Sequence, residues 1–475
     1  MRAKLITFIV ILVFVVAGVT PQTAHAQNPA YTTKFATAIT YQNVGSAATT
    51  TLHILFYASP SDTSPIDITR PNLAAGASSS VSVNSLISTT PYQGSAVMLA
   101  DQPILVTLVQ VPQSSTTVYG RPLSDAFSSA TDTVLIASVL KNSSHTNSIV
   151  SFQNADTQAN DFDIKFFDTS ANLAYELTPH VEAGATYIVD AYNVAGLGTT
   201  FTGSAVATAK RGDATPGKIV GTSMELDTIG TPAAAFEGVG QGSLTVYMPS
   251  ASCKAFSQLQ TVNYAVQNTS LTNSTNVTVT YEPGGLTDSY TIGPGAKHSF
   301  LGCNTIATGF SGSAIITSDT QPIIALGKVS GGGLSADFIG QPNGFANLSL
   351  PYVRWAPTAT YQSNPAKQRT TLAIQNVGAS TIPANSITLT FSDSFGHNGT
   401  YTYASDLAVG AKFNANATNA GLTWFGMSET TSNYGGGVII NCTAPNCQLI
   451  AIGRVASYVS STYTAAEDYN GMQIP

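Results

Sequence analysis

Apolar residues alternate strictly at four places along the chain: Leu52, Ile54 and Phe56; Phe162, Ile164 and Phe166; Val277, Val279 and Tyr281; Ile387, Leu389 and Phe391. A two-residue period sends one set of side chains inward and the other toward solvent, so each run predicts a half-buried β-strand. Turn formers follow each run, in "ASPSD", "DTSAN", "EPGG" and "SDSFG". Farther on, "SAVMLADQPILVTLV" and "SAIITSDTQPIIALG" read as hairpins, two apolar runs joined by a polar turn with proline. The segments after the N-terminus give no convincing amphipathic helix.

Fixed markers travel with the alternation. A Gln-Asn pair precedes each run, placing Asn43, Asn154, Asn268 and Asn376 at intervals of 111, 114 and 108 residues. A Gly-Ala step follows at Gly76, Gly184, Gly295 and Gly410. Then come "YQGSAV", "FTGSAV", "FSGSAI" and "YGGGVI", and a closing aromatic-rich marker at Gly120, Gly238, Gly340 and Gly471. Four markers in one order, four times, predict tandem duplication of a small domain. The expected architecture is all-β: four antiparallel Ig-like β-sandwiches in a row, over 27–124, 125–241, 242–345 and 346–475. Each Gln-Asn is expected to end a strand and enter a turn, because Asn tolerates left-handed backbone and bonds its own main chain.

The first residues belong to a different pattern. Met1-Arg2-Ala3-Lys4 is basic, the chain is apolar from Leu5 to Val19, and Ala24-His25-Ala26 offers a cleavage site. Residues 1–26 therefore read as a secretory signal peptide. No later apolar run is long enough to span a membrane, so the mature chain is expected to have no membrane span.

Composition narrows the function classes. Charged residues are 9% of the chain, well below the usual quarter or so, and the net charge is −7. Without a basic stripe, nucleic acid is not an expected partner. Hydrophobic residues are still 43%, enough for packed cores. The four cysteines, all in the last two repeats, fit two disulfides in an oxidising compartment. The local pairing is preferred: Cys442 with Cys447 stapling a hairpin turn, and Cys253 with Cys303 pinning the first strand of the third repeat to the strand after Gly295. Zinc is disfavoured, since C-x4-C without neighbouring His lacks the usual ligand pairs.

Candidate chemistry is sparse. His53, His145, His180, His298 and His397 stand at differing places in the repeats and nominate no catalytic site. Asp161, Asp163 and Asp168 lack the loop spacing of a calcium site. Arg211-Gly212-Asp213 lies in a hairpin turn of the second repeat. Trp424 falls in a stretch lengthened relative to the other repeats, and an exposed aromatic loop there would stack on sugar rings. No catalytic residue, metal or cofactor is expected.

The combination "IQNVGAS…ITLTFSDSFG…VGA" resembles the tandem Ig-like, CARDB-like repeats of secreted bacterial surface proteins, and the likeness covers all four repeats. The resemblance implies an extracellular stalk, adhesion or envelope role and carries over no catalytic residues. The expected function is a secreted, non-enzymatic structural or adhesion protein whose partners are other cell-surface proteins or glycans. A carbohydrate-binding array contacting glycans through the fourth repeat is the alternative. Self-association is a further one: the final "YNGMQIP" resembles a closing marker plus a fragment of another first strand. That tail would add to a second copy's edge to give head-to-tail fibres, or fold onto its own domain.

Overall fold

A computed structural model of the chain describes residues 8–13, 33–88, 91–113, 120–228, 233–257, 259–356, 367–428, 433–458 and 464–474. Among them the regular elements are β-strands and five short 3-10 turns. The all-β expectation holds, and no helix among the described residues is long and apolar enough to cross a membrane.

The first repeat contains β1 (Phe8–Val13), β2 (Lys34–Asn43), β3 (Leu52–Tyr57), β4 (Ile66–Thr69), β5 (Ser78–Ser82), β6 (Ser95–Ala100), β7 (Ile104–Gln113) and β8 (Leu123–Asp125). They form two antiparallel sheets, in the orders β1-β6-β3-β4 and β5-β2-β7-β8. Ile39, Tyr41 and Val106 of one sheet share a core with Ile54, Phe56 and Met98 of the other, so the sheets lie face to face. The same two strand orders recur in the three later repeats. The alternation places its residues as expected: Ile54, Phe56, Ile164, Phe166, Val277, Val279, Tyr281, Leu389 and Phe391 are fully buried.

The Gln-Asn pairs close four equivalent strands: β2, Thr146–Asn154, Thr261–Asn268 and Lys367–Asn376. Each Asn accepts a hydrogen bond on Oδ1 from the backbone N–H two residues on, at 2.9–3.0 Å, from Gly45, Asp156, Ser270 and Gly378 in turn. Each Nδ2 donates to carbonyls on both sides of the turn, as Asn43 does to Ala47 and Leu73 at 2.8 and 2.9 Å. One part of the expectation is corrected, for none of these Asn residues has positive φ. The left-handed positions belong to the glycines of the Gly-Ala step, with φ of 74, 78, 67 and 75° at Gly76, Gly184, Gly295 and Gly410. The next marker's glycine has a steric reason. A Cβ on Gly94, Gly203 or Gly312 would lie 1.9, 2.1 or 1.9 Å from the carbonyl oxygen of Tyr57, Phe167 or Glu282.

The repeats do not run out in a row. Their last strands, β8, Ala233–Glu237, Leu334–Ile339 and Thr464–Asn470, each pack on the next, and the fourth returns to β8. The chain closes into a ring with these sheet-edge strands at its hub, which covers edges that an extended array would expose. Core clusters spill across the seams: Ala265, Ile324 and Leu326 of the third repeat enter the core of the second, and Val109 and Leu123 of the first enter that of the fourth.

Two disulfides join Cys253 to Cys303 and Cys442 to Cys447. The C-terminal tail folds onto its own repeat, where Met472–Gln473 pairs with Asn347–Leu350 and Ile474 N–H donates to Asn347 O at 3.2 Å. The strand-donating tail of the fibre alternative is thus engaged within the chain. The cleavage point after Ala26 lies outside the described residues. The apolar stretch before it, read as part of a signal peptide, supplies β1, paired with β6 from Phe8↔Ala100 to Val13↔Ser95.

Candidate functional site

The seams carry the repeated polar chemistry. Ser95 Oγ donates to Gly184 O of the second repeat at 2.9 Å, Ser204 Oγ to Gly295 O of the third at 2.6 Å, and Ser313 Oγ to Gly410 O of the fourth at 2.7 Å. In those three repeats the receiving carbonyl also accepts from the Gln of its own Gln-Asn pair, Gln153, Gln267 or Gln375. The fourth repeat has Gly437 where the others have serine. There the ring closes through Ser349 Oγ, which donates to Gln42 Oε1 at 2.6 Å. Charged contacts reinforce two seams: Lys328 Nζ donates to Glu225 Oε1 at 2.7 Å, and Arg454 bonds Gln260 at 2.9 Å while holding Asp468. Sequence reasoning missed these serines as seam residues. Their signal is the Gly-Ser step shared by "YQGSAV", "FTGSAV" and "FSGSAI".

The hub gathers acids that sequence reasoning also missed. Glu237, Asp337 and Asp468 stand within three residues of the closing glycines, a recurrence visible in a chain so poor in charge. Asp125 N–H donates to the Glu237 carboxylate, and Asn470 N–H donates to Asp125 Oδ2 at 3.0 Å. Burial, then the Glu237 charge beside it, pushes the Asp125 carboxyl well above the usual range. Burial pushes Glu237 up to about 7. Glu467 pairs with Arg121 Nε at 3.0 Å, and burial pushes its carboxyl up to about 7 although Arg121 and Arg354 favour its ionised form. Arg354 lies between two rings, 4.0 Å from the Tyr352 centroid and 4.1 Å from that of Tyr434.

These raised values make a pH prediction. Between the ordinary carboxyl range and about pH 7, the folded chain keeps protons on Glu237 and Glu467 that the unfolded chain has lost, and the raised Asp125 carboxyl acts in the same sense. The contribution of the two glutamates is full below pH 4 to 5 and is lost as pH rises through 7. Lys297, pushed down to about 7 by burial and then by Lys328, acts in the opposite sense and regains stability only above pH 7. The thermal midpoint should therefore be higher at pH 5 than at pH 7. Glu237→Gln should stabilise the protein at pH 7 by about 2 kcal/mol and flatten that dependence. An unchanged profile in the variant would refute a protonated Glu237.

The sequence-nominated residues scatter. His53 meets Asp67 at 2.8 Å, His180 meets Asp161 at 2.6 Å, His397 meets Asp393 at 2.7 Å, His298 stacks on Tyr290 at 3.6 Å, and His145 is exposed. Asp163 engages Lys165, and Asp168 caps its own turn through the N–H groups of Ser170 and Asn172. Among the described residues no three His, Cys, Asp or Glu side chains gather as a metal site. Arg211 of the Arg-Gly-Asp turn grips Asp156 with Nε at 2.8 Å and a second nitrogen at 3.1 Å, while Asp213 bonds Thr215. Trp424 is half-buried, its indole N–H donating to Met427 O at 2.6 Å. It packs against the pair Ala356 and Met427. A cavity of about 430 Å³ opens beside the hub, lined by Ile104, Val106, Ala126, Gln341, Phe345 and Met472 among others, with no titratable side chain.

No family model and no curated protein matches the chain, so the CARDB-like resemblance rests on its motifs alone. Among solved structures, a crystal structure described as a tetra-tandem repeat in the extending region of a large adhesion protein aligns with it. The alignment has 10% identity, covers 91% of this chain and 93% of that one, and has a TM-score of 0.10. A superposition of that quality carries no argument.

Proposed function

We propose that the chain is a secreted, non-enzymatic structural or adhesion protein that works outside the cell as a rigid ring of β-sandwiches. The observation that carries the reading is the set of Ser-to-Gly bonds at three seams, which uses the repeated polar residues to hold repeats together. The two disulfides favour an oxidising compartment. Its partners are surface proteins or glycans of the cell that exports it. Fractionating producing cells should place the protein in the medium or on the surface, and the purified protein should bind surface preparations. Retention in the cytoplasm, or turnover in a hydrolase screen, would overturn the reading.

A second reading rests on Trp424, whose indole is held in one orientation by its bond to Met427 and stays half-exposed. A fixed aromatic face suits stacking on a sugar ring. If a glycan array yields a ligand, Trp424→Ala should weaken it about tenfold while Trp424→Phe retains most of the binding. Equal affinity in all three proteins would exclude this face.

A further inference from the structure

β1 holds the position that the first strand holds in every other repeat. Thr133–Lys141 pairs with Phe201–Arg211, Thr245–Ser252 with Ser311–Ser318, and Asn347–Leu350 with Gly436–Cys442, just as β1 pairs with β6. The first strands are also seam elements. Thr133–Lys141 lies against Thr261–Asn268 and Ile323–Gly331 of the next repeat, and Thr245–Ser252 against Lys367–Asn376 and Leu449–Tyr458. β1 likewise lies against Thr146–Asn154 and Ile219–Asp227. The first repeat therefore fills a groove between itself and the second with "FIVILV", taken from the stretch read as a secretory leader.

Cleavage after Ala26 would remove that strand and leave only residues 27–33 ahead of β2. The second repeat uses residues 142–145 to turn from its first strand into its second. A turn of that size leaves three of those seven residues for pairing, against the six pairs that β1 makes. We propose that leader removal opens a strand-wide slot along Ser95–Ala100, and that another exported polypeptide fills it in trans with an extended, uncharged apolar strand. This inference rests on the secreted reading. The open edge would present unpaired N–H and C=O groups, the template for strand addition. On its second-repeat side the slot is flanked by Thr146–Asn154 and Ile219–Asp227. The chain's other first strands and its tail are engaged within the ring, so they are not spare donors.

The test begins with the intact mass of the secreted protein, expected to start at Gln27. A labelled peptide carrying FIVILV between solubilising lysines is then titrated into it. One-to-one binding is expected, with exchange of the Ser95–Ala100 amides that face away from β3 slowed at least about tenfold. The melting temperature should rise by about 3 °C at a hundred times the Kd. Of two peptides with proline at the third or at the fourth position, at least one should fail to bind, because alternate N–H groups of an edge strand face the ladder. A mass that retains residues 8–13 would overturn the proposal through the leader reading. A correct mass with slow exchange at the Ser95–Ala100 amides that face away from β3, and no peptide uptake, would overturn the slot itself. Light scattering would then separate filling by a second copy from filling in cis.

Discussion

Replacing Asn154 with Ala should lower the unfolding free energy by about 3–5 kcal/mol, a large effect for a single polar substitution. Asn154 is fully buried. Its Nδ2 donates to Gln158 O and Val181 O, both at 2.8 Å, and its Oδ1 accepts from Asp156 N at 2.9 Å and Asn160 Nδ2 at 2.7 Å. Truncation removes four bonds at once. It also leaves the buried Asn160 amide nitrogen without its acceptor, and that desolvation penalty dominates the net value of the lost bonds. Asn154→Asp keeps the acceptor and loses both donations while burying a charge, so it should not rescue. Denaturant midpoints at constant slope are the measurement. A loss below about 1 kcal/mol for the Ala variant would mean that the turn re-forms without its side chain.

Removing the Cys253–Cys303 bridge with paired serines should cost about 3–4 kcal/mol, and removing Cys442–Cys447 about 2. The difference follows from loop length, since the first pair is 50 residues apart in sequence and the second 5. The longer loop ties the end of the seam strand Thr245–Ser252 to the turn after Lys297–Leu301, which lies in the opposite sheet. Its loss should therefore loosen the junction with the fourth repeat as well as the third repeat itself. Melting curves of the two double variants under oxidising conditions decide the matter. Equal losses would show that constraint of the unfolded chain is not what these bridges supply.

What was legible in the sequence was local. The period-two runs and the Asn turns depend on neighbours a few residues away, and both came out where the pattern put them. The ring was not legible, because which edge covers which is decided by contacts a hundred residues apart. A trace of it was present. Ala265 and Ala373 each stand three residues before the Asn of their Gln-Asn pair, interrupting the alternation, and each enters the core cluster of the preceding repeat. A small residue on a strand's outward face permits close approach of another sheet. Trp424 illustrates the opposite limit: the sequence suggested an exposed aromatic loop, but not that its indole nitrogen would be tied to Met427.

Modules strung in a line can fray from either end, since each terminal member has one neighbour. A circle has no terminal member. Loss of any quarter breaks two junctions together, so a cut, a misfold or an oxidised residue in one part is felt by all four, and the molecule stands or falls as a whole.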